Sequence, residues 1–395
     1  MKRAAAALVA LLIGWATLHP QPELGAAALE RCLLCGPRAV ADALLNVALF
    51  FPAGLVLGSV MRTVPAVAVA GVLSALVELA QTSIPGRDPS LGDVLFNTVG
   101  AALGVLALRI GRGWLRPAPR LDMVLGAVWA AAAIGVIFLT GWLLQPVAPP
   151  GPYSVHWTPR LVGLPRYGGE VLSAQAGNVR LRPGPARGAE YWGELAARGV
   201  PTAVQIRVGP EPAKLAPLIT IDGVDDTRAL LLGVDGSDIV LRRHLRARRW
   251  RLDAPEVRAP GLLSAHGPGD TVLVATVALP IGQCFAVERA SACGFGHDAG
   301  DGWRLLYRGV GVTGGLQHAA SALWLALLVV LIGFWAGGLR AVGLVLVVAW
   351  YAWFRAPYDT VLLVPGWTEG VGLGLGLALG LGLRALLAGG AARAA

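Results

Sequence analysis

Seven polar residues interrupt apolar stretches of the sequence, and their side chains could bind a charged head group or exchange a proton. They are Asp42, Asn46, Glu78, Gln81, Arg87, Asp93 and Asn97. A charge at the centre of a bilayer costs about 3 kcal/mol or more, so such residues need partners and often mark function. We therefore treat the set as a candidate ligand-binding pocket, in which no catalytic residue can be assigned.

Six of these residues form pairs separated by three or four positions, which places each pair on one helix face. The pairs are Asp42 with Asn46, Glu78 with Gln81, and Asp93 with Asn97. Gly100 and Gly104 follow in a GxxxG pattern that allows close helix packing. Arg87 is the natural counter-charge for Glu78 or Asp93, and it could instead pair with a phosphate or carboxylate of a ligand.

A purely structural role is the alternative, in which the polar cluster only locks helices together. Interhelical hydrogen bonds in membranes average well under about 1 kcal/mol. Three acids and an arginine are a costly means to that end, so a functional pocket is favoured over a structural cluster.

The elements that must position these residues are membrane helices. The chain has 395 residues, 55% of them hydrophobic and 14% charged, with a mean hydropathy of +0.62, which is too apolar for a soluble enzyme. The sequence predicts about eight helices, of which the first and seventh are short for a full span. They cover residues 4–18, 40–60, 64–84, 91–109, 123–144, 319–337, 341–354 and 369–387. A cleaved signal peptide is an alternative for the first, and an uncleaved helix is favoured.

The net charge of +9 does not indicate nucleic-acid binding, since no motif of that kind accompanies it. The cations instead orient the helices, because short cytoplasmic loops are rich in Lys and Arg. With the N-terminus inside, the inner segments hold Lys2, Arg3, Arg62, Arg109, Arg112, Arg116, Arg120, Arg340, Arg384 and Arg393. This predicts a multi-pass membrane protein with both termini cytoplasmic and the polar residues at the outer headgroup level.

Residues 146–317 differ in composition from the rest and predict an extracytoplasmic all-β sandwich inserted between helices five and six. Short apolar runs alternate with turn-forming residues. The predicted strands are "TAVQIRV", "LAPLITI", "RALLLGV", "DIVLRRH", "TVLVATV" and "WRLLYRG". Cys284 and Cys293 would form a disulfide in that oxidising compartment. The predicted domains are thus 1–110 with four helices, 111–145 with an Arg-rich loop and the fifth helix, 146–317, and 318–395 with about three helices.

The N-terminal pattern resembles the VanZ-like family of bacterial membrane proteins over residues 4–108. The resemblance is carried by "LLNVALFFPAGLVLG" and "VELAQTSIPGRDPSLGDVLFNTVGAALG". The matching residues are Asn46, Phe51, Pro52, Gly54, Glu78, Gln81, Arg87, Asp93, Asn97 and Gly100, although Phe50 has the family's Phe-x-Pro spacing. The family is named for a protein linked to teicoplanin resistance. The resemblance therefore implies a place in the bacterial cytoplasmic (inner) membrane and a cell-envelope role, and it implies no particular reaction.

The insert is similar in pattern to concanavalin A-like lectin/glucanase (laminin-G-like) sandwiches, which implies glycan binding. Some such domains also bind calcium through acidic loops, and the acids available here are Asp222, Asp225, Asp226, Asp235 and Asp238. Surface turns use Asp as well, and that interpretation is favoured. The E-x-D-x-x-E pattern of a hydrolase of this fold is absent from the sequence, so glycan hydrolysis is not expected.

The remaining motifs predict no metal and no cofactor. Cys32 and Cys35 form CxxC, for which a local disulfide or two free thiols is favoured over a zinc site, since only His19 lies nearby. The other histidines are interpreted as surface or turn residues. The basic run "RRHLRARRWR", residues 242–251, is predicted to be a solvated strand pair, with a surface for lipid headgroups or an anionic polymer as the alternative.

Three function hypotheses follow from these features. In the first, the pocket binds a lipid-linked or amphiphilic envelope component in contact with membrane lipid, and the sandwich binds a surface glycan. In the second, the protein is an envelope scaffold whose polar cluster is structural and whose sandwich recruits a partner. In the third, it is an enzyme on a lipid-linked substrate, with Glu78 or Asp93 as acid or base.

Overall fold

The structure is a computed structural model that describes residues 2–19, 30, 32–114, 119–185, 199–224, 227–307 and 314–392. The chain divides into two compact units, which are described separately below. The first unit comprises Met1–Asp122 with Trp250–Asp253, and the second comprises Met123–Arg249 with Ala254–Ala395.

The first unit is helical. Its helices are α1 (Lys2–Leu18), α2 (Ala39–Val60), α3 (Thr63–Gln81) and α4 (Leu91–Trp114). Helices α2, α3 and α4 are long and apolar enough to cross a membrane, whereas α1 has 17 residues. A span needs about 20 residues. Pro52 lies inside α2, which neighbouring helices permit in a membrane bundle.

Helices α2 and α4 approach each other through glycines on both sides. A Cβ built on Gly100 or Gly104 would overlap with the α2 backbone at Val47 or Phe51, and one on Gly54 would overlap with Ala101. The close packing expected from the GxxxG pattern is confirmed, and it holds the polar faces of α2 and α4 against each other.

The four residues Trp250–Asp253 complete the start of α2. The backbone N–H of Ala41 donates to the Arg251 carbonyl at 3.4 Å, and Arg251 Nη1 donates to the Leu34 carbonyl at 3.2 Å. Arg38, which precedes α2, lies 3.4 Å from the buried carboxylate of Asp253. The first turn of a helix leaves backbone N–H groups unpaired, so this distant segment supplies part of the capping.

The second unit begins within α5 (Pro119–Leu143) and ends with the C-terminal helices. These are α6 (Gly315–Ala336), α7 (Gly338–Trp350), a π-helical turn (Tyr351–Arg355), α8 (Ala356–Asp359) and α9 (Trp367–Ala392). The low-complexity stretch "GLGLGLALGLGL" is helical, as expected for a segment in lipid. A Cβ on Gly372, Gly376 or Gly380 would overlap with the α6 backbone, while Gly374 faces open space.

Between α5 and α6 lie the strands of two antiparallel six-stranded sheets. The strands are β1 (Ser154–Trp157), β2 (Glu170–Ala176), β3 (Val179–Arg180), β4 (Gly184–Pro185), β5 (Thr202–Arg207), β6 (Ala216–Asp222), β7 (Arg228–Asp235), β8 (Asp238–Arg243), β9 (Val257–Ala259), β10 (Thr271–Ala278), β11 (Gln283–Val287) and β12 (Ala290–Phe295). Their orders are β4-β1-β6-β7-β8-β9 and β12-β11-β10-β5-β2-β3. One hydrophobic core is shared between the inner faces of both sheets.

The predicted fold class, a polytopic helical protein with an inserted β domain, is confirmed. Among the described residues, seven helices are long and apolar enough to cross a membrane, and five of the six predicted strands form. The sixth, "WRLLYRG", is wrong, because Ala299–Leu305 is a 3-10 helix with a capping box at Asp298 and Asp301. The strand pair predicted for residues 242–251 is also wrong, because Arg246–Trp250 is a 3-10 helix.

Candidate functional site

The candidate site is built where α3 ends and α4 begins, and Ser90 joins the two helices. Ser90 Oγ accepts the backbone N–H of Asp93 at 3.0 Å, the usual hydrogen bond of a helix N-cap. The backbone N–H of Ser90 donates to Glu78 Oε2, also at 3.0 Å. Glu78 is only 4% exposed, so α3 presents a buried carboxylate to the start of α4.

Helix α2 enters the site through Asn46. Asn46 Nδ2 donates to Asp93 Oδ1 at 2.5 Å, so three helices meet at one level. We refer to Asn46, Asp93, Ser90 and Glu78 as the polar network. Because these residues are in contact, they lie at one level along the three helices.

Two further side chains extend the site along the same helices. Asn97 Nδ2 donates to Ser74 Oγ at 2.9 Å, and its buried Oδ1 accepts no hydrogen bond from the described residues. Gln81 Nε2 donates to the Thr17 carbonyl at 2.8 Å, which ties α3 to α1. An orphaned buried acceptor is uncommon in folded proteins, and this one leaves one hydrogen-bonding position unused beside the polar network.

Asp42 and Arg87 lie at the edge of this arrangement. The Asp42 side chain is 49% exposed and lies 3.8 Å from Arg38. Arg87 Nε donates to the His19 carbonyl at 3.0 Å and not to Glu78 or Asp93, the partners that the sequence suggested. Asp42 shares a helix face with Asn46, but it faces Arg38 and solvent and not the buried part of the site.

The electrostatic character of the network is set by its two carboxylates. Within the described ranges, neither Glu78 nor Asp93 has a Lys, Arg or His nitrogen within ion-pair distance; each accepts hydrogen bonds from neutral donors. A buried carboxylate is costly unless it is paired or fully hydrogen-bonded. The network can therefore accept further donors, such as an ammonium or hydroxyl group.

A short disulfide-closed loop lies against the start of α4. Glu30 pairs with this region through its backbone, since its N–H donates to the Pro89 carbonyl at 2.9 Å and its carbonyl accepts the Leu91 N–H at 3.1 Å. A Cβ on Gly92 would overlap with the Leu33 carbonyl. Cys32 and Cys35 form a disulfide.

The same loop contains one possible metal-ligand group among the described residues. Ligand atoms of Glu30, Cys32 and Cys35 lie within 4.8 Å of one another. Zinc and similar ions bind thiolates. Because both sulfurs are joined in the disulfide, the residues present do not fit a thiolate metal site.

Residues 10–112 match a family model described as VanZ/LLP1. This part of the chain is VanZ-like. It contains α2, α3 and the polar network, and it supports the resemblance inferred from the sequence over nearly the same range. No curated protein and no solved structure matches the chain. The match therefore concerns the VanZ-like part alone and carries no statement about the sandwich.

Outside the VanZ-like part, the acidic residues suggested as calcium ligands are mostly engaged with arginines. Asp222 lies 3.1 Å from Arg228. Asp235 and Asp238 lie 2.5 Å and 3.0 Å from Arg258. Asp225 and Asp226 lie outside the described residues. The described carboxylates of this set already have cationic partners, which favours ion-paired turns over a calcium site.

The sandwich also holds the second cysteine pair and part of the basic run. A disulfide joins Cys284 in β11 to Cys293 in β12. Arg246 lies 4.4 Å from the centre of the Trp142 ring, near the end of α5, and donates to the Trp142 carbonyl at 3.2 Å. The basic run is thus attached to the end of a membrane helix.

A second buried polar group was missed by the sequence interpretation. His297, expected at the surface, is buried, and its Nδ1 lies 3.7 Å from Asp301. Asp298 caps the following 3-10 helix, and Glu369 of α9 is 2% exposed beside Gly300. The sequence "HDAGD" resembles an ordinary turn. Nothing in it indicates that Glu369, about 70 positions later, lies beside it.

The pKa values of the residues in this second group are shifted by burial and by neighbouring charges. Burial, together with the neighbouring Asp301 and Glu369, raises the pKa of Asp298 to about 8. Burial alone would raise the pKa of Asp301, but the hydrogen bond from His297 and the charge of Arg304 lower it. Burial lowers the pKa of His297, so its imidazole favours the neutral form.

The sequence also missed the small polar residues that complete the VanZ-like site. The Ser90 backbone N–H donates to Glu78. Ser74 Oγ and the Thr17 carbonyl accept hydrogen bonds from the amides of Asn97 and Gln81. The spacing Ser90-x-x-Asp93 is a helix-capping pattern and is the one local signal that points to Ser90.

Proposed function

We propose that this chain is a VanZ-like protein of the bacterial cell envelope that binds the head group of a lipid-linked or amphiphilic component at the polar network. The supporting observation is that Glu78 and Asp93 meet through Ser90 while neither forms an ion pair with a described residue. Carboxylates accept hydrogen bonds, so head groups with amine or hydroxyl donors fit best. Gln81, Asn97, Asp42 and Arg87 would form the surroundings of this head group.

The main test compares lipids that co-purify with the full chain in mild detergent, identified by mass spectrometry. Glu78→Gln and Asp93→Asn remove one charge each and keep the side-chain shape, and we expect them to lose the bound component. Thr98→Val is the matched control, because Thr98 lies on α4 and, within the described part of the chain, its hydroxyl bonds only to the Val94 carbonyl of the same helix, at 2.7 Å. Unchanged lipid content in both charge variants would contradict the proposal.

The cellular counterpart of this test is a glycopeptide-sensitivity assay. If the chain has the resistance role that its family name implies, cells carrying Glu78→Gln should become more sensitive to teicoplanin at equal membrane abundance. Equal sensitivity of wild type, Glu78→Gln and Thr98→Val would argue against that role.

A scaffold role is the second candidate, because the network also joins helices. Asn46 contacts Asp93, Asn97 contacts Ser74, and Gln81 contacts the α1 backbone. Under this hypothesis, Glu78→Gln and Asp93→Asn would lower the amount of monodisperse protein in size-exclusion chromatography. Under the binding hypothesis, they would lower lipid content at unchanged folded yield.

We further propose that the network faces the outer leaflet, with both termini cytoplasmic and the sandwich extracytoplasmic. The support is the distribution of Lys and Arg. Exposed Ser83 and Arg62 lie at opposite ends of α3, and all four native cysteines are in disulfides. A membrane-impermeant thiol reagent applied to intact cells should label Ser83→Cys and not Arg62→Cys. The reverse pattern would refute the orientation.

For the sandwich, we propose glycan binding, supported by its two packed antiparallel sheets. The full chain in detergent should bind a subset of bacterial surface glycans on an array. Absence of binding to every glycan tested, with the protein folded, would reject this part of the proposal.

A further inference from the structure

One end of the core between the two sheets is polar. Arg243 is the last residue of β8 and follows Ile239 and Leu241, whose side chains lie in the shared core on the same strand face. Gln283 is the first residue of β11, on the face of the buried Phe285, and is 4% exposed. The two side chains come from opposite sheets and meet there.

The meeting of Arg243 and Gln283 leaves two donors without an acceptor. Arg243 Nη2 donates to Gln283 Oε1. Arg243 Nε and Gln283 Nε2 are both buried, and neither has a hydrogen-bond partner in the described part of the chain. Buried donors are nearly always paired in folded proteins, so two unpaired donors on residues in contact form a candidate site for an acceptor.

The acceptor should carry negative charge. Burial lowers the pKa of Arg243 to about 10, so the guanidinium remains charged at neutral pH. No described carboxylate lies within ion-pair distance of Arg243, whereas Arg242, the preceding residue, lies 2.7 Å from Glu256. Arg243 is partly buried, and its Nε is fully buried. Such a cation without a counter-ion is unfavourable, and an anion in contact with it removes part of that cost.

Gly199 packs closely against the guanidinium, where a side chain would not fit. A Cβ built on Gly199 would lie 2.9 Å from both Nη1 and Nη2 of Arg243 and would overlap with Ala278. The φ of Gly199 is +70°, a conformation that glycine adopts readily.

The polar end of the sandwich continues directly from a membrane helix. Helix α5 ends at Leu143, and the next residues pair with the chain that follows Arg243. The N–H of Val147 donates to the His244 carbonyl at 2.8 Å, and that of Arg246 donates to the Gln145 carbonyl at 2.9 Å. The residues that follow Arg243 are thus hydrogen-bonded to the residues that directly follow a membrane-length helix, and the polar headgroup region begins at the end of the hydrocarbon core.

We propose that Arg243 and Gln283 form a binding site for an oxyanion of the phosphate type, carried by a lipid head group or free in solution. Arg243 supplies the charge and its Nε–H, and Gln283 supplies Nε2–H. Guanidinium groups bind phosphate oxygens by charge-assisted hydrogen bonds, which are the strong ones. The site is independent of the VanZ-like part and of the function proposed for it.

The test uses the thermal stability of the full chain in zwitterionic detergent at constant ionic strength set with chloride. In one arm, inorganic phosphate is titrated. In the other, micelles contain phosphatidylglycerol or, for comparison, phosphatidylcholine. A ligand that binds only the folded state raises the Tm in a saturable manner. A response to phosphate assigns the free anion, and a response to phosphatidylglycerol alone assigns a lipid head group.

Three variants make the outcome decisive. Arg243→Met should abolish the rise in Tm with ligand. Arg242→Met should keep it, because the Arg242 side chain lies on the other face of the strand. Gln283→Glu places a carboxylate of the same shape against Arg243, so we expect a higher Tm without ligand and no further response. The proposal is overturned if neither probe raises the Tm of the wild type, or if Gln283→Glu responds as the wild type does. Should Arg243→Met fail to fold, Gln283→Glu still decides.

Discussion

Replacing Arg258 should destabilise the sandwich more than replacing any exposed arginine of the same sheets. Arg258 lies on β9 and contacts three carboxylates: Asp235 at 2.5 Å, Glu256 at 2.8 Å and Asp238 at 3.0 Å. Its side chain is 28% exposed. In Arg258→Met, the turn between β7 and β8 would retain two half-buried carboxylates without a cation.

The expected loss of unfolding free energy in Arg258→Met depends on how deeply the ion pairs are buried. Breaking a fully buried ion pair costs about 3–5 kcal/mol. Partial exposure lowers that figure, and Arg242 still neutralises Glu256, so we expect about 2–3 kcal/mol. For a domain of this size, each kcal/mol corresponds to about 2–4 °C in Tm, which gives a decrease of about 4–12 °C.

The control is Arg207→Met. Arg207 forms a single ion pair with Glu170 at 3.1 Å, with both side chains more than half exposed, so its loss should cost under about 1 kcal/mol. The assay is differential scanning calorimetry of the full chain in detergent, following the sandwich transition. Adding Asp235→Asn to Arg258→Met should recover part of the Tm. Equal Tm values for the Arg258 and Arg207 variants would refute the reasoning.

The pH dependence of stability is a second test of the contact between Arg258 and its carboxylates. Burial would raise the pKa of Glu256, but the charges of Arg242 and Arg258 lower it below its usual value. A carboxyl group with a depressed pKa stabilises the fold above its unfolded pKa of about 4.3, and this is lost as pH falls through the folded value. The difference between wild type and Arg258→Met should therefore shrink in acid.

Three further outcomes are expected. The pKa of Asp298 is raised to about 8, so the protonated carboxyl stabilises the fold fully below pH ~4, and this contribution is lost as pH rises through 8. Asp298→Asn should therefore have a higher Tm than wild type above pH 8. Parallel curves of Tm against pH for the two proteins would contradict this. Replacing Cys284 and Cys293 with Ser opens a short loop and should cost about 2–3 kcal/mol relative to the oxidised wild type, measured by calorimetry. The reduced wild type should match the variant. Gly376→Leu should reduce monodisperse protein in size-exclusion chromatography while Gly374→Leu does not, and equal yields would exclude a packing role for Gly376.

The helical part of the fold was predictable because composition alone decides it. In lipid, backbone groups must be paired within the segment, so long apolar stretches form helices whatever their local preference. The alternating Gly and Leu of α9 would suggest a strand in water, yet they form a helix whose Gly376 faces α6. The strands β5 to β8 and β10 were equally visible, since alternation and turns mark them locally.

The predictions that were wrong have a different cause, which is contact between residues that are distant in the sequence. "WRLLYRG" has the composition of a strand, but Trp303 Nε1 donates to Ser321 of α6 at 3.2 Å and Asp298 caps a 3-10 helix. Arg87 was expected to contact Glu78 or Asp93 because of charge, yet its Nε donates to the carbonyl of His19, 68 positions earlier. Spacing predicts which side chains share one helix face and gives no information on what a neighbouring helix presents.

The segment Trp250–Asp253 at the start of α2 has a consequence for biosynthesis. Arg251 and Leu34, which it brings together, are 217 positions apart in the chain. A ribosome adding about 5–20 residues per second needs roughly 10–45 s to cover that distance. During that interval α2 is already made, yet the first turn of its helix lacks the Arg251 carbonyl and the Asp253 carboxylate. The VanZ-like helices therefore reach their final form only after much of the sandwich has been translated, and an expression clone that stops at residue 112 would omit a piece of their own unit.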